Sequence, residues 1–539
     1  MAIRSTTNQM RIPGRLQGLA GVRLLAVHLC TIFCLLVAQT DFSHAQVRKV
    51  GPEFQVNTAF VGTQLRPNVA IAAGGKFVIV WGGIFEDHHQ DGFGIWGRTF
   101  RRGGQPATGQ FLVTDTEEFD EWSEGDATID CASDERCTVA WTADLQTNGE
   151  LSIVAAKTLD LSTQETEPTL PVSTRSDVSH QRAGVARSDS GRSMVVWHDA
   201  GMVLELPPNI VMGRVVTKEG TALTPPFELA STTIDPRLPQ VIALKDGSFV
   251  ATWWGRDTSG DFNVYARRFD AEGHPVAEEF RVNESVQGGQ QRPAIAPADD
   301  NGFLAVWEDG SRNDDQSLGI YARRFGPNDA PIGPQYHVNT YTLDSQVQPA
   351  VENDGVGGFV VAWVSFSDFT GPGQDGDGLG VFGRRLHDDG SPDGLEFQIN
   401  TTTDFAQGWI TWPIGLAARN GRVVATWQDE RLGRYVFDIF AQRFTLTLGA
   451  GPVCGDAHAQ DLRLDLRDAL QILRGATGLR PCLACLCDAD GSGSVAAGDA
   501  LVVLRTAVGI GVTSQCPACQ EGDESPAGAF GFGFPESDD

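Results

Sequence analysis

The sequence predicts an all-β fold: a seven-bladed β-propeller of four-stranded blades, closed by its amino-terminal strand. Three observations carry that reading. An alternating apolar run ending in Trp recurs seven times, with Trp81, Trp141, Trp197, Trp253, Trp307, Trp363 and Trp427 spaced 60, 56, 56, 54, 56 and 64 residues apart. Each run belongs to a set of four short strand-like motifs, and four strands in a unit of about 55 residues is the pattern of a propeller blade. Finally, the chain opens on one of these motifs out of turn, at FQVNT (54–58), and the last repeat lacks it. A displaced first strand that completes the last blade removes an exposed sheet edge.

The motifs can be justified in order. A short strand precedes each Trp run, typified by RPAIA (292–296) and QPAVE (348–352). The Trp run itself reads FVIVW, CTVAW, SMVVW, FVATW, FLAVW, FVVAW and VVATW, a period of two that suits a sheet and not a helix. A third motif follows, clearest as YARRF (265–269 and 321–325) and FGRRL (382–386). Its third position is basic in six copies, at Arg98, Lys157, Arg214, Arg267, Arg323 and Arg384, with Gln442 breaking the series. Repetition in nearly every blade implies a structural task, expected to be pairing with a carboxylate of the neighbouring blade. The fourth motif is clearest as FRVNE (280–284), YHVNT (336–340) and FQINT (397–401). A Trp closing every second strand is expected to fill the wedge between sheets rather than to bind a ligand.

The chain has 539 residues, 41 Lys+Arg, 69 Asp+Glu and a formal charge of −28. That balance excludes a basic nucleic-acid binder, because little could neutralise a run of phosphates. Arg4, Arg11, Arg15 and Arg23 precede a 15-residue apolar stretch at 24–38, too short for a membrane span, and Ser43-His44-Ala45 offers small residues for a signal peptidase. The expectation is a signal peptide over residues 1–45, a secreted or cell-surface protein and no membrane span after cleavage. Removing that segment takes four Arg and one Asp, leaving −31.

Cys131 and Cys137 flank a turn between two strand-like runs, which reads as a hairpin disulfide in an oxidising compartment. Six more cysteines, from Cys454 to Cys519, crowd the carboxy-terminal region as a disulfide framework or, by the Cys-x-x-Cys spacing at 482–485 and 516–519, a zinc site. No nucleophile elbow, zinc-protease helix or phosphate-cradling loop occurs, so no catalytic residue is assigned. What varies between blades is the loop after each Trp strand, and these loops are acidic: Glu86, Asp87 and Asp91 beside His88 and His89; Asp257 and Asp261; Glu308, Asp309, Asp314 and Asp315; Asp368, Asp375 and Asp377; Asp429 and Glu430. Together they are expected to ring one face with negative potential, suited to cations, basic partners or glycans.

After the propeller, placed over 50–447, the pattern changes. RDALQILRGATG (467–478) and GDALVVLRTAVG (498–509) repeat at an offset of 31 with helical spacing. The second follows DADGSGSVAAGD (488–499), a 12-residue calcium loop with Asp488, Asp490 and Ser492 at alternating positions, the Ser494 carbonyl next and Asp499 closing it. A degenerate first loop offers Asp456, His458, Asp461 and Asp468. This duplicated loop–helix pattern over 452–520 resembles a type I dockerin. The resemblance implies a small α-helical module that binds Ca2+ and docks on a cohesin-like partner, often in polysaccharide-degrading assemblies. The first loop carries one residue too many, and the six cysteines are foreign to the dockerin pattern. Residues 521–539 form an acidic, Gly/Phe-bearing tail expected to be disordered.

Two functions fit: a non-catalytic binding or scaffold protein whose propeller presents a glycan or protein site, or a polysaccharide-acting hydrolase with carboxylates converging near the propeller axis. For the calcium loop, Asp488→Ala or Asp499→Ala is expected to abolish calcium-dependent folding of fragment 452–520. An unchanged calcium titration in these variants refutes the metal assignment.

Overall fold

Alternating apolar runs separated by tight turns leave each segment one option, a strand with both faces buried. The computed structural model shows how these strands assemble. It describes residues 45–448, apart from 59–61, 88–89, 115–125, 145–151, 164–165, 175–178, 201–208, 315–316, 368–372, 377, 404–405, 409–412 and 432–436. These residues lie in one unit, His44–Gly451; the other unit, Met1–Ser43 with Pro452–Asp539, falls outside the described residues.

The strands form seven antiparallel sheets, six of four strands and one of five. Blade 5 shows the pattern: an innermost strand Gln290–Pro297, the Trp strand Phe303–Asp314, a third strand Ser317–Phe325 and a two-residue outer strand Tyr336–His337, paired in chain order. The seventh sheet is built from both ends of the propeller. Phe54 and Gln55 pair with Ala441 and Phe440, so the displaced motif does complete the last blade. A further strand, Ala45–Lys49, pairs along the same partner from Leu448 to Phe444. Other blades have only short pairings at the equivalent place, such as Phe100 with Pro106 and Phe325 with Pro331, and the strand lies ahead of the sequence-based boundary.

The outer strands of blades 1 to 5 are only two residues long, while that of blade 6 runs Pro392–Gln398, and the fourth motif continues the pairing through a side chain. Asn283 Oδ1 accepts Val264 N–H at 2.8 Å, Asn339 Oδ1 accepts Ile320 N–H at 2.7 Å and Asn400 Oδ1 accepts Val381 N–H at 2.9 Å. In the closing strand Asn57 does the same for Ile439, at 2.9 Å.

All seven repeat Trp side chains are buried, none more than 1% exposed. Each packs against the blade before it: Trp141 on Val78 and Val80, Trp253 on Met194 and Val196, Trp363 on Leu304 and Val306, and Trp81, across the closure, on Val424 and Ile439. A buried indole N–H needs an acceptor. Gln64 takes that of Trp81 at 2.8 Å, Gln346 that of Trp363 at 2.7 Å and Asp199 that of Trp197 at 2.7 Å.

The basic position of the third motif bridges blades, but not to a carboxylate. Arg98 Nη1 donates to Val56 O at 2.7 Å, Lys157 Nζ to Val113 O at 3.0 Å and Arg214 Nη1 to Val172 O at 2.8 Å. Arg267, Arg323 and Arg384 repeat this on Leu229 O, Val282 O and Val338 O at 3.3, 3.2 and 2.7 Å. Each acceptor lies just past the outer strand of the preceding blade, where the ladder has ended and a carbonyl would otherwise lack a partner. Two carboxylates, Glu278 and Glu284, approach Arg267 and Arg323 only at 3.7 Å and from exposed positions. Where Gln442 breaks the series, Lys49 of the added strand donates to Asn400 O at 3.2 Å and restores the cation.

Strand closure carries a direct test. Deleting residues 46–60 is expected to lower the melting temperature far more than deleting 521–539, because the first deletion removes both closing strands and the Lys49 bridge. Equal melting temperatures would refute closure.

Candidate functional site: the axial channel

The innermost strands of the seven blades converge on an axial channel of about 450 Å³, within the size range of ligand pockets. Their register can be counted from the Trp residues. Fifteen residues before each of the first six Trp stand Arg66, Asp126, Arg182, Leu238, Arg292 and Gln348. Eleven residues before them stand Ala70, Asp130, Ala186, Ile242, Ala296 and Glu352. The two sets form two tiers, the first nearer the face that carries the loops after the Trp strands.

A β-bulge produces the first tier. The inner-strand register shifts between Leu65 and Asn68, Gln181 and Gly184, Gln291 and Ala294, and Val347 and Ala350. At these bulges Arg66, Arg182, Arg292 and Gln348 adopt φ between 48° and 56°, and Leu238 adopts 47°. Bulges re-aim side chains and terminate pairing, and Pro67, Pro239, Pro293 and Pro349, which follow four of these residues, have no N–H to leave unpaired. The backbone N–H of the bulged residue finds an acceptor in the preceding blade: Arg66 N–H donates to Gln428 Oε1 at 3.2 Å and Gln348 N–H to Glu308 Oε1 at 2.8 Å.

Arginines dominate this tier. Asp126 pairs with Arg66 at 3.0 Å and lies 3.8 Å from Arg182. Arg292 lies 3.3 Å from Glu308, which is fully buried. Burial pushes the Glu308 carboxyl up, and Arg292 pulls against that shift.

The second tier is apolar except at two places. Asp130 of blade 2 accepts the N–H of Cys131 at 2.8 Å on Oδ1 and that of Arg187 at 2.7 Å on Oδ2. Burial nevertheless pushes its carboxyl up to about 6, against those two N–H groups and the charges of Arg419 and Arg187. Glu352 of blade 6 makes no hydrogen bond or ion pair with any described residue. Burial raises its carboxyl well above the usual range, and the charge of Asp130 raises it further. The two acids thus sense each other within the channel. A protonated carboxyl donates an O–H and an ionised one only accepts, so two carboxyls whose hold on the proton is raised by burial place both capacities in the channel. Ile71, Ile129, Ile242, Ile295 and Leu416 supply apolar wall around them, and no aromatic ring lines the channel among the described residues.

Cys131 and Cys137 face each other in the hairpin register of blade 2 and are joined as a disulfide, with Cα atoms 4.0 Å apart. The bond ties down the end of the strand that carries Asp130. The calcium-loop residues Asp488, Asp490, Ser492, Ser494 and Asp499, and Asp456, His458, Asp461 and Asp468 of the first loop, lie outside the described residues.

The acidic ring expected on the loop face is corrected in part. Glu308, Asp309 and Asp429 are buried, at 0, 2 and 0% exposure, because they still belong to the Trp strands. Asp309 and Asp429 accept the indole N–H of Trp307 and Trp427, at 3.3 and 3.1 Å. Asp257 folds its own turn, accepting Ser259 N–H at 2.8 Å. These acids build the fold. Asp130 and Glu352 went unnoticed in the sequence; the signal for them is a charge where other blades carry Ala or Ile.

The chain matches no family model and no curated protein. Solved structures similar to it include a protein of unknown function from Dyadobacter fermentans, at 10% identity over 74% of this chain and 99% of that one, with a TM-score of 0.45. An α-L-arabinofuranosidase from Fusarium graminearum is 8% identical over 74% and 98%, TM-score 0.42. The β-propeller domain of the Trilobed protease from Pyrococcus furiosus is 9% identical over 71% and 94%, TM-score 0.41. Similarity at this level carries no inference about activity.

The half-buried Glu352 gives a pH test. The Glu352 carboxyl has a higher pKa folded than unfolded, so the folded state holds its proton to higher pH and stability falls as pH rises above the unfolded value. Asp130 acts with the same sign as pH rises towards about 6. Glu352→Gln keeps the shape and removes the ionisation. The variant is expected to exceed the native protein in denaturation midpoint at pH 8, with the gap closing by pH 4; a gap that is constant with pH contradicts this.

Proposed function

We propose that the protein is a secreted or cell-surface binding and scaffold protein. In this reading the axial channel takes a hydroxyl-bearing glycan segment, and the carboxy-terminal module binds calcium and docks on a cohesin-like partner. The observation that carries the channel assignment is the Asp130–Glu352 pair in a ligand-sized cavity. Two carboxyls with a raised hold on the proton donate through O–H and accept through their remaining oxygens, which matches the two-way hydrogen bonding of sugar hydroxyls. Perturbed titratable groups in a cavity are the usual mark of a binding or catalytic site. Export is supported by the amino-terminal segment and by the Cys131–Cys137 disulfide. The partner assignment rests on the dockerin-like pattern alone.

The same pair favours a second reading, a polysaccharide-acting hydrolase. Glycosidases combine one protonated and one ionised carboxyl, and environments that separate two carboxyl pKa values assign those roles. Against it, both Asp130 oxygens already accept backbone N–H bonds, which suits a fixed anchor better than a nucleophile.

A screen of the whole protein against polysaccharides, scored for binding and for released product, separates the two readings. The scaffold reading expects retention on at least one glycan without new reducing ends. Product that disappears in both Asp130→Asn and Glu352→Gln establishes the hydrolase, and no retention on any glycan refutes both.

A further inference from the structure

The channel is densely charged, and its first tier runs against the character of the chain. The protein carries a formal charge of −28, yet its first tier sets Arg66, Arg182 and Arg292 against one ring carboxylate, Asp126, with Glu308 buried behind Arg292. The second tier, four residues further along the same strands, holds the acids Asp130 and Glu352. At the usual rise per strand residue the tiers stand about 13 Å apart, less the shortening at each bulge. Arg182, Arg292 and Gln348 line the channel together with Asp130 and Glu352, and at and beyond the second tier Arg187, Lys245 and Arg419 face Asp189 and Asp299.

A ligand that satisfies both tiers must be anionic at one end and rich in hydroxyl donors and acceptors at the other. A guanidinium carries five N–H donors in a planar fork that matches a carboxylate. At the far tier, Asp130 and Glu352 offer carboxyl groups to hydroxyls, with the Arg187 and Arg419 charges acting on Asp130. With no aromatic ring among the described lining residues, selection falls to charge and hydrogen bonding rather than stacking.

We propose that the axial channel selects glycans that carry a carboxylate, as short uronic-acid oligosaccharides do, with the carboxylate at the arginine tier and the hydroxyls on Asp130 and Glu352. This rests on the glycan-binding reading above and narrows it. A neutral sugar satisfies only the lower tier. An acidic peptide satisfies the upper tier but brings no array of hydroxyls to Asp130 and Glu352.

The test uses the full-length protein and calorimetric titration with three probes: trigalacturonate, its methyl ester and polyglutamate. The ester keeps every ring hydroxyl and removes only the charge. Charge-assisted hydrogen bonds contribute about 1.5–3 kcal/mol, so the acid is expected to bind about tenfold tighter than the ester or better, with a preference that shrinks as salt is added. Arg182→Gln is expected to reduce the preference. Arg292→Gln is made together with Glu308→Gln, so that no buried charge is left unpaired, and is expected to act the same way. Glu352→Ala, which installs the residue that blades 1, 3 and 5 carry at that level, is expected to weaken acid and ester alike.

Equal affinity for acid and ester overturns the charge selection and leaves glycan binding standing. Polyglutamate binding as tightly as trigalacturonate overturns selection for a sugar. Unchanged affinity in Glu352→Ala places the ligand outside the channel and overturns the proposal. Failure to bind any glycan in the wider screen removes the underlying reading as well.

Discussion

The interface between adjacent blades is the constraint on which the rest of the molecule depends. Seven twisted sheets arranged around an axis leave a wedge between each pair, narrow at the centre and wide at the rim. The Trp that closes each second strand fills that wedge against the preceding blade, and the basic side chain of the third motif spans it to a carbonyl beyond the outer strand. Truncating a buried Trp typically costs about 3–5 kcal/mol, and bonds to a charged donor add about 1.5–3 kcal/mol each. The ring holds only if every interface is filled, including the one where the repeats end. There Gln442 is too short and neutral to reach across, and Lys49 supplies the charge from the other end of the propeller. A strand without a repeat signature is thereby bound to the same task as the repeated ones.

The legibility of these features follows from how local each is. A Trp every 54 to 64 residues survives in the sequence because the same wedge recurs, and the displaced FQVNT motif exposes the closure because it carries the signature of the strand it replaces. Ala45–Lys49 carries none, and only its pairing with Phe444–Leu448 reveals it. The partner of the basic series was misread for a related reason. A sequence shows charges, whereas the acceptor is a backbone carbonyl made needy by the early end of a two-residue strand. Glu308, Asp309 and Asp429 look like loop acids because they follow Trp directly, but strand pairing continues past the Trp and carries them inside.

Asp130 and Glu352 were visible as letters and invisible as a pair. One sits beside Cys131 near a turn and the other ends QPAVE, and 222 residues separate them. They meet because the ring brings blades 2 and 6 to the same axis at the same register. A count back from Trp141 and Trp363 places both at one level, but only when the fold is known to be a closed ring of inner strands.

That pair also marks where folding and function diverge. At the same level other blades place Ala or Ile, which line a channel at little energetic expense. A carboxyl taken out of water is destabilising unless it is paired or neutralised, and here neutralisation of Glu352 is helped by the nearby charge of Asp130. The chain anchors Asp130 with two backbone N–H groups, and the Cys131–Cys137 disulfide restrains the strand end beside it. The Arg187 N–H bond also ties blade 2 to blade 3, and Cys131 and Cys137 pack in the Trp141 wedge, so Asp130 is anchored through the same interfaces that hold the ring. Residues that cost stability, are held rigid and face a cavity belong to recognition or chemistry rather than to the fold. The bulges serve both ends: they turn backbone N–H groups of Arg66 and Gln348 onto acceptors of the preceding blade, and they bring Arg182 and Arg292 to the channel wall.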